Sequence, residues 1–146
     1  MSTFQKTVES WQPGAHTMPR EYYTSPAIFA EERERIHARH WNCLGRSSEF
    51  ATAGEFQVRE IAGESLIIVR DRGGELHAFF NICRHRGTRL CKDASGKLPE
   101  SIQCPYHAWT YALDGRLIGA PHMNEVEGFD KKALLTFAVI GGHRFR

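Results

Sequence analysis

Two short pairs of cysteine and histidine carry the most specific chemical signal in this sequence. The pairs lie in residues 83–85 (Cys-Arg-His) and 104–107 (Cys-Pro-Tyr-His), and eighteen residues separate the first histidine from the second cysteine. Two irons bridged by sulfide can take two thiolates on one iron and two imidazoles on the other. Because one or two residues separate the ligands of a pair, each pair fits on one tight loop. The pattern predicts an iron–sulfur cluster of the [2Fe–2S] type bound by Cys83, His85, Cys104 and His107.

A Cys2His2 zinc site is the main alternative, because zinc accepts the same ligand types in a tetrahedral shell. Zinc sites usually pair cysteine with cysteine and histidine with histidine along the chain. The single residue between Cys83 and His85 falls outside that pattern. The sequence therefore favours the iron–sulfur cluster, with zinc as the less favoured site and no metal as the remaining interpretation.

Three segments around these pairs are distinctive, namely 81–91 (NICRHRGTRLC), 104–111 (CPYHAWTY) and 113–117 (LDGRL). They closely resemble the N-terminal domain of Rieske non-haem iron oxygenase alpha subunits, which include ring-hydroxylating dioxygenases and N- and O-demethylating enzymes. The resemblance extends from about residue 22 to about residue 130. It implies a Rieske-type cluster on the four ligands above. The residues expected to surround the cluster are Arg86, Gly87, Pro105, Tyr106, Trp109 and Tyr111.

The sequence departs at several positions from the respiratory Rieske proteins, which carry a disulfide between the ligand loops and a serine that donates to the cluster. Thr88 and Tyr106 stand at the disulfide positions and Trp109 at the serine position, so Tyr111 remains as the hydroxyl donor. Fewer hydrogen bonds to sulfur stabilise the reduced cluster less, which predicts a potential near the low end of the Rieske range, about −150 mV. Ala108 stands where glycine is commoner in the oxygenases, but a small side chain is retained, so this departure weakens the resemblance little.

The resemblance implies a role in electron transfer. In the family the cluster accepts electrons derived from NAD(P)H, through a reductase or ferredoxin, and passes them to a mononuclear iron in a larger C-terminal domain. The sequence ends at Arg146 before any triad of two histidines and a carboxylate, so the mononuclear Fe(II) site is expected outside this chain. We predict no catalytic residue here, and we expect single-electron transfer without hydroxylation. Like subunits are a further expected partner, as in full-length relatives.

A free-standing Rieske-type ferredoxin is the alternative function. Such carriers usually lack the arm and helix that precede the first predicted strand here, which favours the oxygenase interpretation. Arg84, Arg86, Arg89 and Lys92 surround the first ligand pair. They predict either a positive docking face for an acidic electron donor or a set of solvated loop residues, and the sequence does not choose between the two.

Length and charge agree with a small electron-transfer domain. The 146 residues suffice for one domain with a core, and the formal net charge of +2 is too small to indicate a nucleic-acid or membrane partner. No apolar run approaches the roughly twenty residues of a membrane-spanning helix, and the polar N-terminus does not resemble a signal peptide. We therefore expect a cytoplasmic protein whose cysteines are reduced.

The predicted fold class is mainly β, a Rieske-type domain of short antiparallel strands with an N-terminal arm and one amphipathic helix. The arm and helix occupy residues 1–45, the Rieske domain residues 46–130, and an altered or truncated segment residues 131–146. Ser25 and Pro26 predict the start of a helix that extends to about residue 40. Alternating apolar residues and turn residues predict strands at 56–61, 65–70, 76–80, 101–103, 109–113 and 116–118. Cys43 and Cys91 are predicted to be buried core thiols.

Overall fold

The computed structural model describes residues 13–14 and 16–134. Most of the predicted N-terminal arm and residues 135–146 of the predicted C-terminal segment lie outside these residues. The chain divides into two compact units, residues 1–39 and residues 40–146. The boundary that the sequence places between residues 45 and 46 stays a prediction.

Helices make up residues 21–24 and 26–37 of the first unit. Helix α1 covers Glu21–Thr24 and helix α2 covers Pro26–Glu32, which continues directly as a π-helix over Arg33–His37. The Ser25 hydroxyl accepts a hydrogen bond from the Ile28 amide at 3.4 Å, and Pro26 occupies the first turn, where its missing amide proton is not needed. The predicted helix start is confirmed, and the helix ends three residues earlier than the predicted residue 40.

The second unit contains seven strands in two antiparallel sheets. The first sheet contains β1 (Glu55–Ile61), β2 (Glu64–Arg70), β3 (Leu76–Phe80) and β4 (Ser95–Lys97), in the order β3-β2-β1-β4. The second sheet contains β5 (Ser101–Gln103), β6 (Thr110–Ala112) and β7 (Leu117–Gly119), in that order. Short 3-10 helices cover Ser47–Glu49 and Lys131–Ala133. The mainly β fold class is confirmed. No helix among residues 13–14 and 16–134 is long and apolar enough to cross a membrane.

Turn residues set the register of the first sheet. Ala62 and Gly63 connect β1 to β2 with φ angles of +53° and +90°, the backbone of a two-residue hairpin turn, and Ile61 pairs with Glu64. Strand β4 was not predicted, because its three exposed residues show no alternation of apolar and polar side chains. Gly96 allows β4 to pair with β1, because a Cβ atom at this position would lie only 2.9 Å from the Phe56 ring.

Alternation along β2 gives the first sheet an apolar layer on each face. Ile67 and Val69 pack into a cluster that also contains residues of the second sheet, among them Ile102 and Tyr111. The neighbouring side chains of β2, Leu66 and Ile68, pack on the opposite face with Phe50 and Leu76. The larger cluster includes Cys83 and Cys104, so the two predicted thiolate ligands are built into the main core.

The two other cysteines differ in burial. Cys91 is 7 % exposed and belongs to the core, as predicted. The prediction for Cys43 is wrong, because this residue is exposed. It lies in an irregular segment that follows the 76 % exposed Trp41, and no strand or helix turns this segment toward the core.

Candidate metal centre

Each predicted ligand pair lies on a loop that begins where a strand of the second unit ends. The first loop follows β3, which ends at Phe80, and carries Cys83 and His85. The second loop joins β5 to β6, whose last paired residues are Gln103 and Thr110, and carries Cys104 and His107. Each sheet therefore contributes one ligand loop.

The two ligand loops are closed by equivalent backbone hydrogen bonds. In the first loop the Cys83 amide donates to the Thr88 carbonyl at 2.8 Å, and the Gly87 amide donates back to the Cys83 carbonyl at 2.9 Å. In the second loop the Cys104 amide donates to the Trp109 carbonyl at 2.8 Å, and the Ala108 amide donates back to the Cys104 carbonyl at 3.1 Å. The two spacings, Cys-x-His and Cys-x-x-His, are thus carried by one kind of closed turn.

The fifth residue of each turn has a left-handed backbone. Gly87 has a φ of +70° and Ala108 a φ of +56°. Glycine adopts this region without steric cost, whereas the Cβ atom of alanine crowds the backbone there. Alanine at 108 therefore keeps the backbone of the turn but carries a steric cost that glycine would avoid.

The four predicted ligands come together as a sulfur pair and a nitrogen pair. Cys83 and Cys104 are each 2 % exposed, and besides this burial the neighbouring Cys104 side chain helps to raise the pKa of the Cys83 thiol. The ring centroids of His85 and His107 lie 4.7 Å apart. Among the described residues, no group of three or more His, Cys, Asp or Glu side chains surrounds one point as a single-ion site does. Like ligands are thus adjacent, the arrangement that a two-iron cluster with different ligands on each iron needs.

Two buried nitrogen atoms provide a test of whether a metal cluster fits this site. The Nδ1 atoms of His85 and His107 are both buried, and neither has a hydrogen-bond partner. No other buried side-chain nitrogen or oxygen atom in the described part of the chain lacks a hydrogen-bond partner. Buried polar atoms are normally satisfied, and an unsatisfied one needs an explanation. A single iron held by both Nδ1 atoms would satisfy them, so the residues fit the cluster.

Before metal binds, the pKa shifts of His85 and Cys83 favour the neutral form of each side chain. Burial lowers the pKa of His85, and the nearby His107 and Arg86 lower it further, so the imidazole is neutral and able to bind metal. Burial raises the pKa of the Cys83 thiol, although hydrogen bonds from Tyr111 and the His85 amide oppose this effect. Thiolate is the form that binds iron, so cluster binding must release protons.

The hydroxyl of Tyr111 lies against the first ligand loop from within the core. Tyr111 is fully buried on β6, and its Oη lies 3.4 Å from the Cys83 Sγ. The same oxygen accepts a hydrogen bond from the Arg84 amide at 3.2 Å, which leaves its proton available for sulfur. Burial raises the pKa of Tyr111, and the contact with Cys83 raises it further, so the phenol remains protonated.

Aromatic rings contact both histidines. The Trp109 ring stacks on His85 with a centroid distance of 4.8 Å and an interplanar angle of 12°. The Tyr106 ring lies 3.8 Å from the His107 ring, and the guanidinium carbon of Arg86 lies 5.9 Å from the centroid of Tyr106. Trp109 is buried and Tyr106 is exposed. Pro105, between Cys104 and Tyr106, is exposed.

Asn81 organises the first loop, and the set of site residues predicted from sequence did not include it. Its Oδ1 accepts hydrogen bonds from the Leu90 and Cys91 amides at 3.0 and 2.8 Å. Its Nδ2 donates to the Cys91 carbonyl at 2.7 Å and to the Ser65 hydroxyl at 3.3 Å. Asn81 is 4 % exposed and joins the two ends of the segment that carries Cys83 and His85. An asparagine directly after a strand and two residues before a ligand was the available sequence signal.

Comparison with known proteins identifies the family of this site. The family model described as the Rieske [2Fe-2S] domain matches residues 40–130. The chain belongs to the Rieske [2Fe–2S] domain family. Its cofactor is the Rieske-type [2Fe–2S] cluster, in agreement with the pairing of like ligands and the two unsatisfied Nδ1 atoms. The zinc alternative is therefore not supported.

The similar curated proteins are oxygenase subunits. The chain is 44 % identical over 118 residues to the carnitine monooxygenase oxygenase subunit of Acinetobacter baumannii, a match that covers 81 % of this chain and 32 % of the relative. It is 43 % identical over 107 residues to the glycine betaine monooxygenase oxygenase subunit of Chromohalobacter salexigens, covering 73 % of this chain and 24 % of that protein. The chain thus spans about a third or less of the length of these relatives and matches the Rieske part of an oxygenase alpha subunit.

Solved structures agree with this assignment. The apo form of the quaternary ammonium Rieske monooxygenase CntA superposes with a TM-score of 0.77 at 41 % identity, covering 84 % of this chain and 35 % of that chain. Naphthalene 1,2-dioxygenase from Rhodococcus sp. superposes with a TM-score of 0.74 at 34 % identity, covering 80 % of this chain and 27 % of that chain. The Rieske fold is therefore common to relatives described as a monooxygenase and as a dioxygenase.

Proposed function

We propose that Cys83 and Cys104 bind one iron of the [2Fe–2S] cluster and that His85 and His107 bind the other through their Nδ1 atoms. The observation that carries this proposal is the pair of buried Nδ1 atoms without partners, next to a buried pair of thiols. When bound, the cluster accepts and releases one electron at a time. The four ligands lie on loops whose backbone is already closed by hydrogen bonds, so little reorganisation is needed for binding.

The neighbouring residues adapt this site to electron transfer. The Tyr111 hydroxyl donates to the Cys83 sulfur and so favours the more negative, reduced state. Trp109 orients the His85 ring by stacking. The thiols are enclosed by the apolar core, whereas the two histidines are half-buried and lie nearer to the surface. Electrons would therefore enter and leave on the histidine side.

We further propose that this domain accepts electrons derived from NAD(P)H, through a reductase or ferredoxin, and passes them toward a mononuclear iron in the larger oxygenase subunit. The oxygenase subunits among the relatives support this proposal. Exposed Arg84 and Arg86 flank His85 in sequence, and exposed Arg89 follows on the same segment, which fits an electron donor with an acidic surface. Electron transfer from such a donor should slow as ionic strength rises. A free-standing ferredoxin remains the alternative, and no relative described above supports it.

Cluster assembly tests the ligand assignment directly. The chain is purified anaerobically, reconstituted with iron and sulfide, and examined by absorption and electron paramagnetic resonance spectroscopy after reduction. We expect about two irons per chain and the spectrum of a cluster with mixed sulfur and nitrogen ligands. Cys83→Ser and His107→Ala should each abolish this spectrum. Cys91→Ala is the matched control, because it removes a buried thiol outside the ligand set. Full iron content in Cys83→Ser would contradict the assignment.

A further inference from the structure

We propose that Arg86 and Tyr106 form a clamp between the two ligand loops and thereby fix the orientation of the His107 imidazole. This inference rests on the proposed function of the site. Arg86 directly follows His85 in the first loop, and Tyr106 directly precedes His107 in the second. The contact of the guanidinium with the Tyr106 ring therefore joins residues that neighbour the two nitrogen ligands.

The two histidines differ in how their rings are held. The His85 ring stacks on Trp109, which is 4 % exposed and packed in the core, so its orientation is set from the interior. The His107 ring contacts His85 at 4.7 Å and Tyr106 at 3.8 Å. Its buried Nδ1 atom has no hydrogen bond that would orient the ring before iron binds. Among the ring contacts of His107 in the described part of the chain, the one with Tyr106 comes from a residue that is not a proposed ligand.

Tyr106 needs a partner to act in this way. Its side chain is 58 % exposed, and an exposed tyrosine has little packing to hold it in one rotamer. The planar guanidinium of Arg86 lies over the ring at 5.9 Å, a geometry in which the positive charge is attracted to the ring face. The arginine therefore restricts the tyrosine, and the tyrosine restricts the imidazole. Arg86 and Tyr106 are positioning residues rather than ligands.

The test compares five reconstituted variants of the full chain. Tyr106→Ala removes the ring, Arg86→Gln removes the charge, and the double variant removes both. Tyr106→Phe keeps the ring that the clamp needs. Arg116→Gln is the matched control, an exposed arginine paired with Asp114 on the β6–β7 turn. The measurements are the visible circular dichroism and electron paramagnetic resonance spectra of the cluster, which report the orientation of the imidazoles, and the rate of bleaching in air.

We expect Tyr106→Ala and Arg86→Gln to change both spectra and to bleach about two- to fivefold faster than the wild type, the range that one exposed cation–π contact provides. The double variant should bleach no faster than Tyr106→Ala, because the arginine acts through the ring. Tyr106→Phe and Arg116→Gln should retain the wild-type spectra and rate. Rescue by phenylalanine separates ring contact from loss of the hydroxyl.

Three results would overturn the clamp. They are wild-type spectra and bleaching in Arg86→Gln, wild-type behaviour in Tyr106→Ala, or a double variant whose rate is the product of the two single effects. If Tyr106→Ala does not fold, Arg86→Gln against Arg116→Gln decides the matter alone. A wild-type chain that takes up no iron under these conditions would instead overturn the proposed function on which the clamp rests.

Discussion

The Tyr111 hydroxyl is the protein group placed to adjust the cluster from inside the core. We expect Tyr111→Phe to lower the midpoint potential, because the reduced cluster loses a hydrogen bond at Cys83 sulfur. A differential hydrogen-bond energy of about 1–2 kcal/mol corresponds to about 40–90 mV for one electron. A redox titration followed by circular dichroism measures this shift. Tyr23→Phe, on helix α1, is the control and should leave the potential unchanged. An unchanged or raised potential in Tyr111→Phe would show that the hydroxyl does not donate to sulfur.

The free thiols outside the ligand set should differ in reactivity. Burial and, to a smaller extent, the Asp93 carboxylate raise the pKa of Cys91 to about 11, so at pH 8 about one thiol in a thousand is ionised. Cys43 is exposed to solvent. We expect iodoacetamide to alkylate Cys43 in the folded protein at pH 8 and to leave Cys91 unmodified until the protein unfolds. Mass spectrometry of the digested protein identifies the site. Rapid modification of Cys91 in the native state would refute its place in the core.

The residues of the site differ in how far their roles can be predicted from the sequence. Ligand chemistry depends on residue type and short spacing, so the sequence alone was enough to predict the four residues that we propose as ligands. The role of Asn81 could not, because its partners at Ser65, Leu90 and Cys91 are brought together by the fold. The exposure of Cys43 was missed for the same reason, since the nearby Trp41 is itself 76 % exposed and does not form part of the core.

At the scale of the loops, the left-handed backbone at Ala108 predicts that glycine at this position stabilises the folded protein. Ala108→Gly relieves the steric cost of a φ of +56° and should raise the free energy of unfolding by about 1 kcal/mol, less the added entropy of glycine in the unfolded chain. Ala112→Gly, in strand β6, is the control and should lower it by about 0.5–1 kcal/mol. Denaturant unfolding of both variants measures the difference. A destabilised Ala108→Gly would contradict the strain assigned to this turn.

The segment that carries the first ligand pair depends on Asn81. Asn81→Ala leaves the amides of Leu90 and Cys91 and a carbonyl buried without partners, so we expect a loss of about 2–4 kcal/mol in the free energy of unfolding. Thermal and urea unfolding measure the loss. Asn124→Ala, at an exposed position, should change stability by less than about 0.5 kcal/mol. Equal stabilities of the two variants would exclude the proposed role of Asn81 in closing the segment.

Element prediction followed the strength of the local pattern. The predicted strands at 76–80 and 101–103 match β3 and β5, because apolar residues and turn residues mark them. Strand β4 pairs with β1 through exposed residues 95–97, and pairing at a sheet edge leaves no apolar pattern in the sequence. The helix from residue 26 was predictable from its cap. Its change to a π-helix at Arg33 and its end at His37 follow from backbone hydrogen bonds that composition does not report.

For the whole molecule, the scarcity of hydroxyl donors predicts a low potential. The cluster should have a midpoint near −150 mV, at the low end of the range for mixed histidine and cysteine ligation. A redox titration of the reconstituted chain measures it. A midpoint above about +100 mV would contradict the assignment to the oxygenase type. The low value suits a domain that passes electrons onward to iron that reacts with oxygen, which is the proposed role in the larger subunit.

The matching turns that carry the two ligand pairs also bear on how half of such a centre could be moved to another protein. In each turn, two backbone hydrogen bonds close a six-residue loop. The histidine occupies the third position in one turn and the fourth in the other, and the two hydrogen bonds are the same. This six-residue turn, rather than the spacing of the ligands along the chain, is the unit that could be transferred. A designer could therefore graft one such hexapeptide, with glycine fifth, onto an unrelated antiparallel hairpin and obtain one sulfur and one nitrogen donor already oriented for iron.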